Sequence, residues 1–138
     1  MNARSFLDSN ILVYSDDAAS PAKQRIALEL IEECRKRDRG VLSIQVLQEY
    51  FTTVTRKLGV DPVIARRKIE LFSQLHLVVN ELDDVLAAID LHRLHAFSFW
   101  DALIIRSAQR ARCRILFTED LQHGRRIEGL EIINPFRG

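Results

Sequence analysis

The sequence predicts a three-layer α/β/α domain built on a mostly parallel central sheet of about five short strands, and three observations carry that prediction. Short apolar runs alternate with longer stretches of helical periodicity from Arg4 to Ile133. The helical stretches open at cap signals such as Ser20-Pro21 and Asp61-Pro62, where a capping side chain is followed by proline at the first helical position. Parallel neighbouring strands need crossover connections, which these helices supply while covering both faces of the sheet. With 138 residues, 47% of them hydrophobic and 28% charged, the chain can bury a core without disulfide or metal staples, and a single domain over 1–138 is expected.

Taken in order, Arg4–Leu7 reads as the first strand, ending at Asp8. Residues 11–14 form a short turn. A helix starts at Ser20-Pro21, carries Ile26, Leu30, Ile31 and Cys34 on its apolar stripe, and stops at Gly40. Val41–Ser43 is the second strand, and Ile44–Leu58 a helix with Leu47, Phe51, Val54 and Leu58 on one face. Asp61-Pro62 opens another helix through Ile69 and Phe72. Leu75–Val79 is a strand, and Leu82–His95 a helix with Asp83 and Asp84 near its positive end. Ser98 caps the next helix, whose buried stripe is expected to be Trp100, Ile104, Ala108 and Ala111. Ile115–Phe117 and Glu131–Ile133 complete the strands.

Composition narrows the function. Cys34 and Cys113 stand in no metal-ligand spacing and are expected to be small buried residues in a reducing compartment. His76, His92, His95 and His123 show no ligand spacing either. No run reaches the ~18–20 apolar residues of a membrane span, and no signal-peptide pattern opens the chain, so a cytoplasmic protein is expected. A formal net charge of +1 argues against nucleic-acid binding by bulk charge. Arg66-Arg67-Lys68, Arg110 with Arg112 and Arg114, and Arg125-Arg126 remain as local basic patches, each read first as a solvated face.

Chemistry concentrates in four acid-bearing segments: Leu7-Asp8-Ser9-Asn10, Gln48-Glu49-Tyr50, Phe99-Trp100-Asp101-Ala102 and Thr118-Glu119-Asp120. Each acid has an ordinary role open to it. Asp8 can cap the turn that follows it, Asp101 can complete a capping box with Ser98, Glu49 can sit on a solvated face, and Asp120 can serve a turn. Asp8 and Asp120 each follow a strand, at the sheet edge where α/β folds place their sites.

The run Phe6-Leu7-Asp8-Ser9-Asn10, the helical Glu49, the run Phe99-Trp100-Asp101-Ala102-Leu103-Ile104 and the run Phe117-Thr118-Glu119-Asp120-Leu121 together resemble the PIN-domain nucleases, most of all the VapC-type toxins of toxin–antitoxin pairs. The resemblance implies that Asp8, Glu49, Asp101 and Asp120 are catalytic, gathered around Mg²⁺ or Mn²⁺ to cleave RNA, with Asn10, Thr118 and Glu119 as accessory positions. Either Glu119 or Asp120 can be the fourth acid. Asp8 and Asp101 are expected to ligate the metal directly, with Glu49 and Asp120 acting directly or through water. The resemblance also implies a VapB-type antitoxin that covers the acidic cleft, an RNA substrate and a homodimer. The apolar positions Leu71 and Leu75 fit either protein interface, and fit core packing equally well.

The donor chemistry agrees with these expectations. Carboxylates 4 Å apart repel by ~4 kcal/mol at an effective dielectric near 20, so a cluster takes up protons or a cation. An all-oxygen donor set without Cys or paired His favours Mg²⁺ or Mn²⁺ over zinc. Such an ion polarises a phosphodiester and acidifies a water that attacks it. Two other readings stay open: a catalytically inactive PIN-fold module that binds RNA or protein, and a receiver-like phosphoacceptor domain, for which the sequence lacks the acidic pair and partner lysine.

Overall fold

In the computed structural model, which describes residues 3–137, six strands form one sheet flanked by six helices. Chain order runs β1 (Ser5–Leu7), α1 (Ser9–Tyr14), α2 (Pro21–Arg37), β2 (Gly40–Ser43), α3 (Ile44–Lys57), α4 (Pro62–Phe72), β3 (His76–Val78), α5 (Leu82–His95), α6 (Phe99–Arg110), β4 (Ile115–Phe117), β5 (Arg126–Ile127) and β6 (Leu130–Ile133). Spatial order is β3-β2-β1-β4-β6-β5. All pairs are parallel except β5 with β6, so the mostly parallel three-layer architecture is the one expected.

The first strand is central and buried on both faces. Phe6 faces the cluster built from α3, α5 and α6, while Leu7 faces Ile11, Ala27 and Cys34 beneath α2, as side chains alternate across a strand. The chain lays β2 and β3 on one side of β1, then returns to place β4 and β6 on the other. The strand order therefore reverses between β1 and β4, and the crevice beyond their carboxyl ends is where such a sheet holds its site. Leu7 pairs with Phe117 at that end, and the Asp8 N–H donates to the Phe117 carbonyl at 3.1 Å.

Several local expectations are corrected. Residues 9–14 form a helix rather than a turn, because Asp8 caps it and accepts from the Ser9 N–H. The helix α2 ends not at Gly40 but at Asp38, whose left-handed backbone (φ 55°) closes its last turn. Gly40 instead opens β2, where a Cβ would come within 2.9 Å of Cys34 Cβ. On α3 the buried face is rotated from the expected one: Tyr50 is fully buried and Phe51 is exposed. Burial of the Tyr50 ring is possible because its hydroxyl donates to Asp16 Oδ2 at 2.5 Å. Asp16 also takes Lys68 of α4, so α1, α3 and α4 are tied at one point.

Trp100 does not belong to the core. It is 61% exposed, and the buried face of α6 is Ala102, Leu103, Ile104, Ile105, Ser107 and Ala108. Phe99 takes the place at the helix entrance that packs on the core. The sixth strand, β5, is only two residues long and pairs with β6 through Glu128 and Gly129, both at positive φ, the geometry of a tight hairpin turn.

Part of each basic patch is engaged internally. Arg110 binds Asp84, Glu81 and the Val79 carbonyl, Arg66 pairs with Glu70 and Arg126 with Glu131, and Arg125 lies 4.4 Å over the Phe97 ring. Cys34 and Cys113 are buried and free, their thiols pushed up by burial to about 11 and about 12. No helix among the described residues is long and apolar enough to cross a membrane.

Candidate acidic site

At the β1/β4 crevice, Asp8 is 4% exposed. One of its oxygens accepts from the Ser9 N–H at 2.7 Å and the other from the Thr118 hydroxyl at 2.8 Å. Thr118, itself fully buried at the end of β4, also accepts from Asn10 Nδ2 and from the Asp120 N–H, each at 3.1 Å. One hydroxyl thereby uses its donor and both acceptor positions. Asn10 completes the link: its Nδ2 donates to Asp120 Oδ2 at 3.1 Å and its Oδ1 accepts from the Glu119 N–H at 3.2 Å. The capping turn after β1 and the loop after β4 are thus stitched into one unit that carries Asp8 and Asp120.

Burial is the main reason the Asp8 carboxyl is raised from 3.8 to about 7. The Thr118 and Ser9 hydrogen bonds oppose the shift, and the negative charges of Glu49 and Asp120 add to it. No cation contributes. Asp8, Glu49 and Asp120 are therefore within electrostatic reach of one another, although among the described residues no three His, Cys, Asp or Glu side chains lie close enough to hold one ion together.

Asp101 sits in the first turn of α6, where its N–H donates to Ser98 Oγ at 3.1 Å. The reciprocal half of the capping box, from its carboxylate back to the Ser98 N–H, is not formed. Its charge is not among those acting on Asp8. The connection between Asp101's turn and the other acids is Gln45, whose Nε2 donates to both Glu49 Oε2 and the Trp100 carbonyl, each at 3.2 Å. Gln45 is buried, and its Oε1 is without a hydrogen-bond partner. The sequence reading missed Gln45; its only signal was the i, i+4 spacing to Glu49.

Glu119 is turned to a different task. It accepts from the Tyr14 hydroxyl at 2.6 Å and pairs with Lys23 at 2.5 Å. Burial alone would raise its carboxyl, but the Lys23 and Tyr14 hydrogen bonds outweigh burial and hold it below the ordinary value. Lys23 further lies 4.8 Å over the Tyr14 ring, which meets Phe136 edge-on. Beside this network a cavity of about 310 Å³ opens along α1 and α3, lined by Asn10, Val13, Thr53, Lys57, Glu119 and Asp120 among others.

The PIN domain family model matches residues 5–128. Two solved structures share the fold. VapC20 of Mycobacterium tuberculosis, a toxin that cleaves the sarcin–ricin loop, is 20% identical with a TM-score of 0.64, over 84% of this chain and 91% of that one. A toxin–antitoxin complex from Klebsiella pneumoniae is 18% identical with a TM-score of 0.69, over 95% of this chain and 97% of that one. No curated protein sequence matches. With the family model spanning both strands of the crevice and all four acid-bearing segments, this chain belongs to the PIN domain family.

Proposed function

We propose that the protein is a Mg²⁺- or Mn²⁺-dependent endoribonuclease and the toxin of a type II toxin–antitoxin pair. The observation that carries this reading is Asp8: a nearly buried carboxylate with two other acids acting on it and no cation to balance them. A buried acid without a partner either stays protonated or binds a cation.

The residues present fit a hydrated divalent ion. Mg²⁺ keeps several waters and is commonly held by only one or two carboxylates, which suits acids that approach one another without converging. Asp8 would ligate it, with Glu49 and Asp120 taking its waters, and Asp101, whose turn is joined to Glu49 through Gln45, would complete the set that the resemblance implies. The unpartnered Gln45 Oε1 beside Glu49 supplies a further acceptor for a water there. When bound, the ion would polarise a phosphodiester and acidify the attacking water. The chain's own part is to hold geometry: Thr118 fixes the Asp8 carboxylate, Asn10 holds Asp120 against it, and Gln45 positions Glu49 beside the α6 turn. Glu119, occupied by Lys23 and Tyr14, anchors the loop, and Asp120 serves as the fourth acid.

The catalytically inactive binding module has one observation in its favour, the lack of three convergent carboxylates among the described residues. A receiver-like role has none. For partners, the exposed apolar residues Leu82, Leu86 and Ile89 on α5 support a homodimer, and the apolar hollow of Phe51, Val63 and Ile69 supports an antitoxin segment. Leu71 is exposed and suits either interface, whereas Leu75 packs against the core and over Gly40. The proposal includes a cytoplasmic location, where an RNA substrate of this kind is met. Sequencing RNA ends after brief expression of wild type and Asp101→Asn tests activity and target together. New ends that require Asp101 are expected, and identical end profiles would reject the reading.

A further inference from the structure

Gln45, Glu49, Thr53 and Lys57 recur every fourth residue along α3, so they form one ridge about 18 Å long. At one end Gln45 grips the Trp100 carbonyl. In the middle Glu49 acts on Asp8. At the far end Thr53 and Lys57 line the cavity shared with Asn10 and Asp120.

Both ends of the ridge carry groups with no internal task. Trp100 is 61% exposed, an unfavourable place for a large apolar ring unless something covers it. Its ring meets Phe99 edge-on at 5.1 Å between centroids, and Phe99 packs on the core. Lys57 is exposed and forms no ion pair among the described residues. An exposed aromatic surface on one side of an acid cluster and a free ammonium on the other are the two elements by which proteins bind single-stranded nucleic acid: bases stack on the ring and the cation holds a phosphate.

We infer that the α3 ridge is the track for a single RNA strand, with Trp100 stacking a base on one side of the scissile phosphate and Lys57 holding a backbone phosphate on the other. This rests on the ribonuclease reading of the acid cluster and adds how the strand lies across it. The short span of the track requires an unpaired segment, because a base must leave its neighbours to stack on Trp100.

Trp100 is the only tryptophan in the chain, so its fluorescence reports the contact directly. Wild type in Ca²⁺, in place of Mg²⁺ to slow cleavage, is titrated with a fluorescently labelled single-stranded oligoribonucleotide while anisotropy and tryptophan emission are followed. Emission should be quenched in parallel with binding. Trp100→Leu should bind about 5- to 150-fold more weakly, whereas Trp100→Phe should keep most of the affinity, which separates stacking from apolar packing. Lys57→Ala should lower the slope of log affinity against log salt by about 0.7, one phosphate contact on a single strand, and leave quenching at saturation intact. RNA that binds and is cleaved in Mg²⁺ with unchanged emission, or with Trp100→Leu equal to wild type, overturns the track and leaves the ribonuclease reading standing. An RNA pool neither bound nor cleaved by wild type overturns both. Quenching by a protein partner but not by RNA assigns Trp100 to that partner and overturns the track.

Discussion

Asp8 and Asp84 are both nearly buried aspartates at the start of a helix, 4% and 1% exposed, yet their carboxyls are driven in opposite directions. Burial pushes both upward. For Asp84 the Glu81 N–H, Arg106 at 3.0 Å and Arg110 at 2.6 Å more than cancel it, and the carboxyl is lowered. For Asp8 the hydrogen bonds from Thr118 and Ser9 fall short, Glu49 and Asp120 add repulsion, and the carboxyl is raised to about 7. Asp84 is a finished structural contact between α5 and α6. Asp8 is kept charged only at a free-energy cost that a cation would remove. The surroundings, not the residue type or its burial, separate a structural acid from a candidate functional one.

Exchanging the two acids should therefore give opposite phenotypes. The largest effect is expected at Asp8: Asp8→Asn should lower divalent-dependent RNA cleavage by at least about 10³-fold, the loss of several kcal/mol of transition-state stabilisation, with a native circular-dichroism spectrum. Cleavage within tenfold of wild type would remove the distinction. Asp84→Asn should instead cost about 2–3 kcal/mol in urea unfolding. A buried pair broken on one side costs 3–5 kcal/mol, less here because Arg106 and Arg110 remain partly exposed. Activity per folded molecule should be unchanged.

The pH response sharpens the same contrast. Because the folded-state value of Asp8 lies above its unfolded value, the folded protein binds the extra proton between about 4 and about 7. Asp8 therefore subtracts stability as pH rises through that window. In EDTA, the stability of Asp8→Asn relative to wild type should improve by a few kcal/mol between pH 4 and pH 8. A flat difference would mean that Asp8 is not strained by its charge. For Asp84, whose folded value is lowered, the contribution is present at neutral pH and lost as pH falls through the acid range. The smallest effect is expected at Glu119: Glu119→Gln should reduce cleavage less than about tenfold and leave the metal-titration midpoint in place, whereas Asp120→Asn should shift that midpoint. Equal shifts would return Glu119 to the ligand set.

The fold was legible because β1, β2 and β4 are short apolar runs between strongly capped helices, and patterning alone orders such elements. Asp8 and Asp120 could be placed at one sheet edge because each follows a short apolar run that reads as a strand. What escaped the sequence was decided by tertiary partners. Tyr50 displaced Phe51 from the buried face because Asp16 was there to receive its hydroxyl. Trp100 left the core because Phe99, one residue earlier, filled the position. Glu119 and Asp120 are adjacent acids that no spacing rule distinguishes. Lys23 and Tyr14, roughly a hundred residues away in sequence, do so by taking Glu119 alone. The strand β5 is too short to carry a period, and its Glu128-Gly129 turn lacks the usual Asn or Asp.

The central claim is that the Asp8 carboxyl exchanges its proton for a divalent cation, the proton being released to the solvent. Calorimetric titration with Mn²⁺ at pH 6.5, repeated in buffers of different ionisation enthalpy, counts protons released on binding. A carboxyl near 7 predicts release of roughly 0.7 proton per ion in wild type, and loss of that release in Asp8→Asn. Binding without proton release, or release that survives in Asp8→Asn, would contradict the claim.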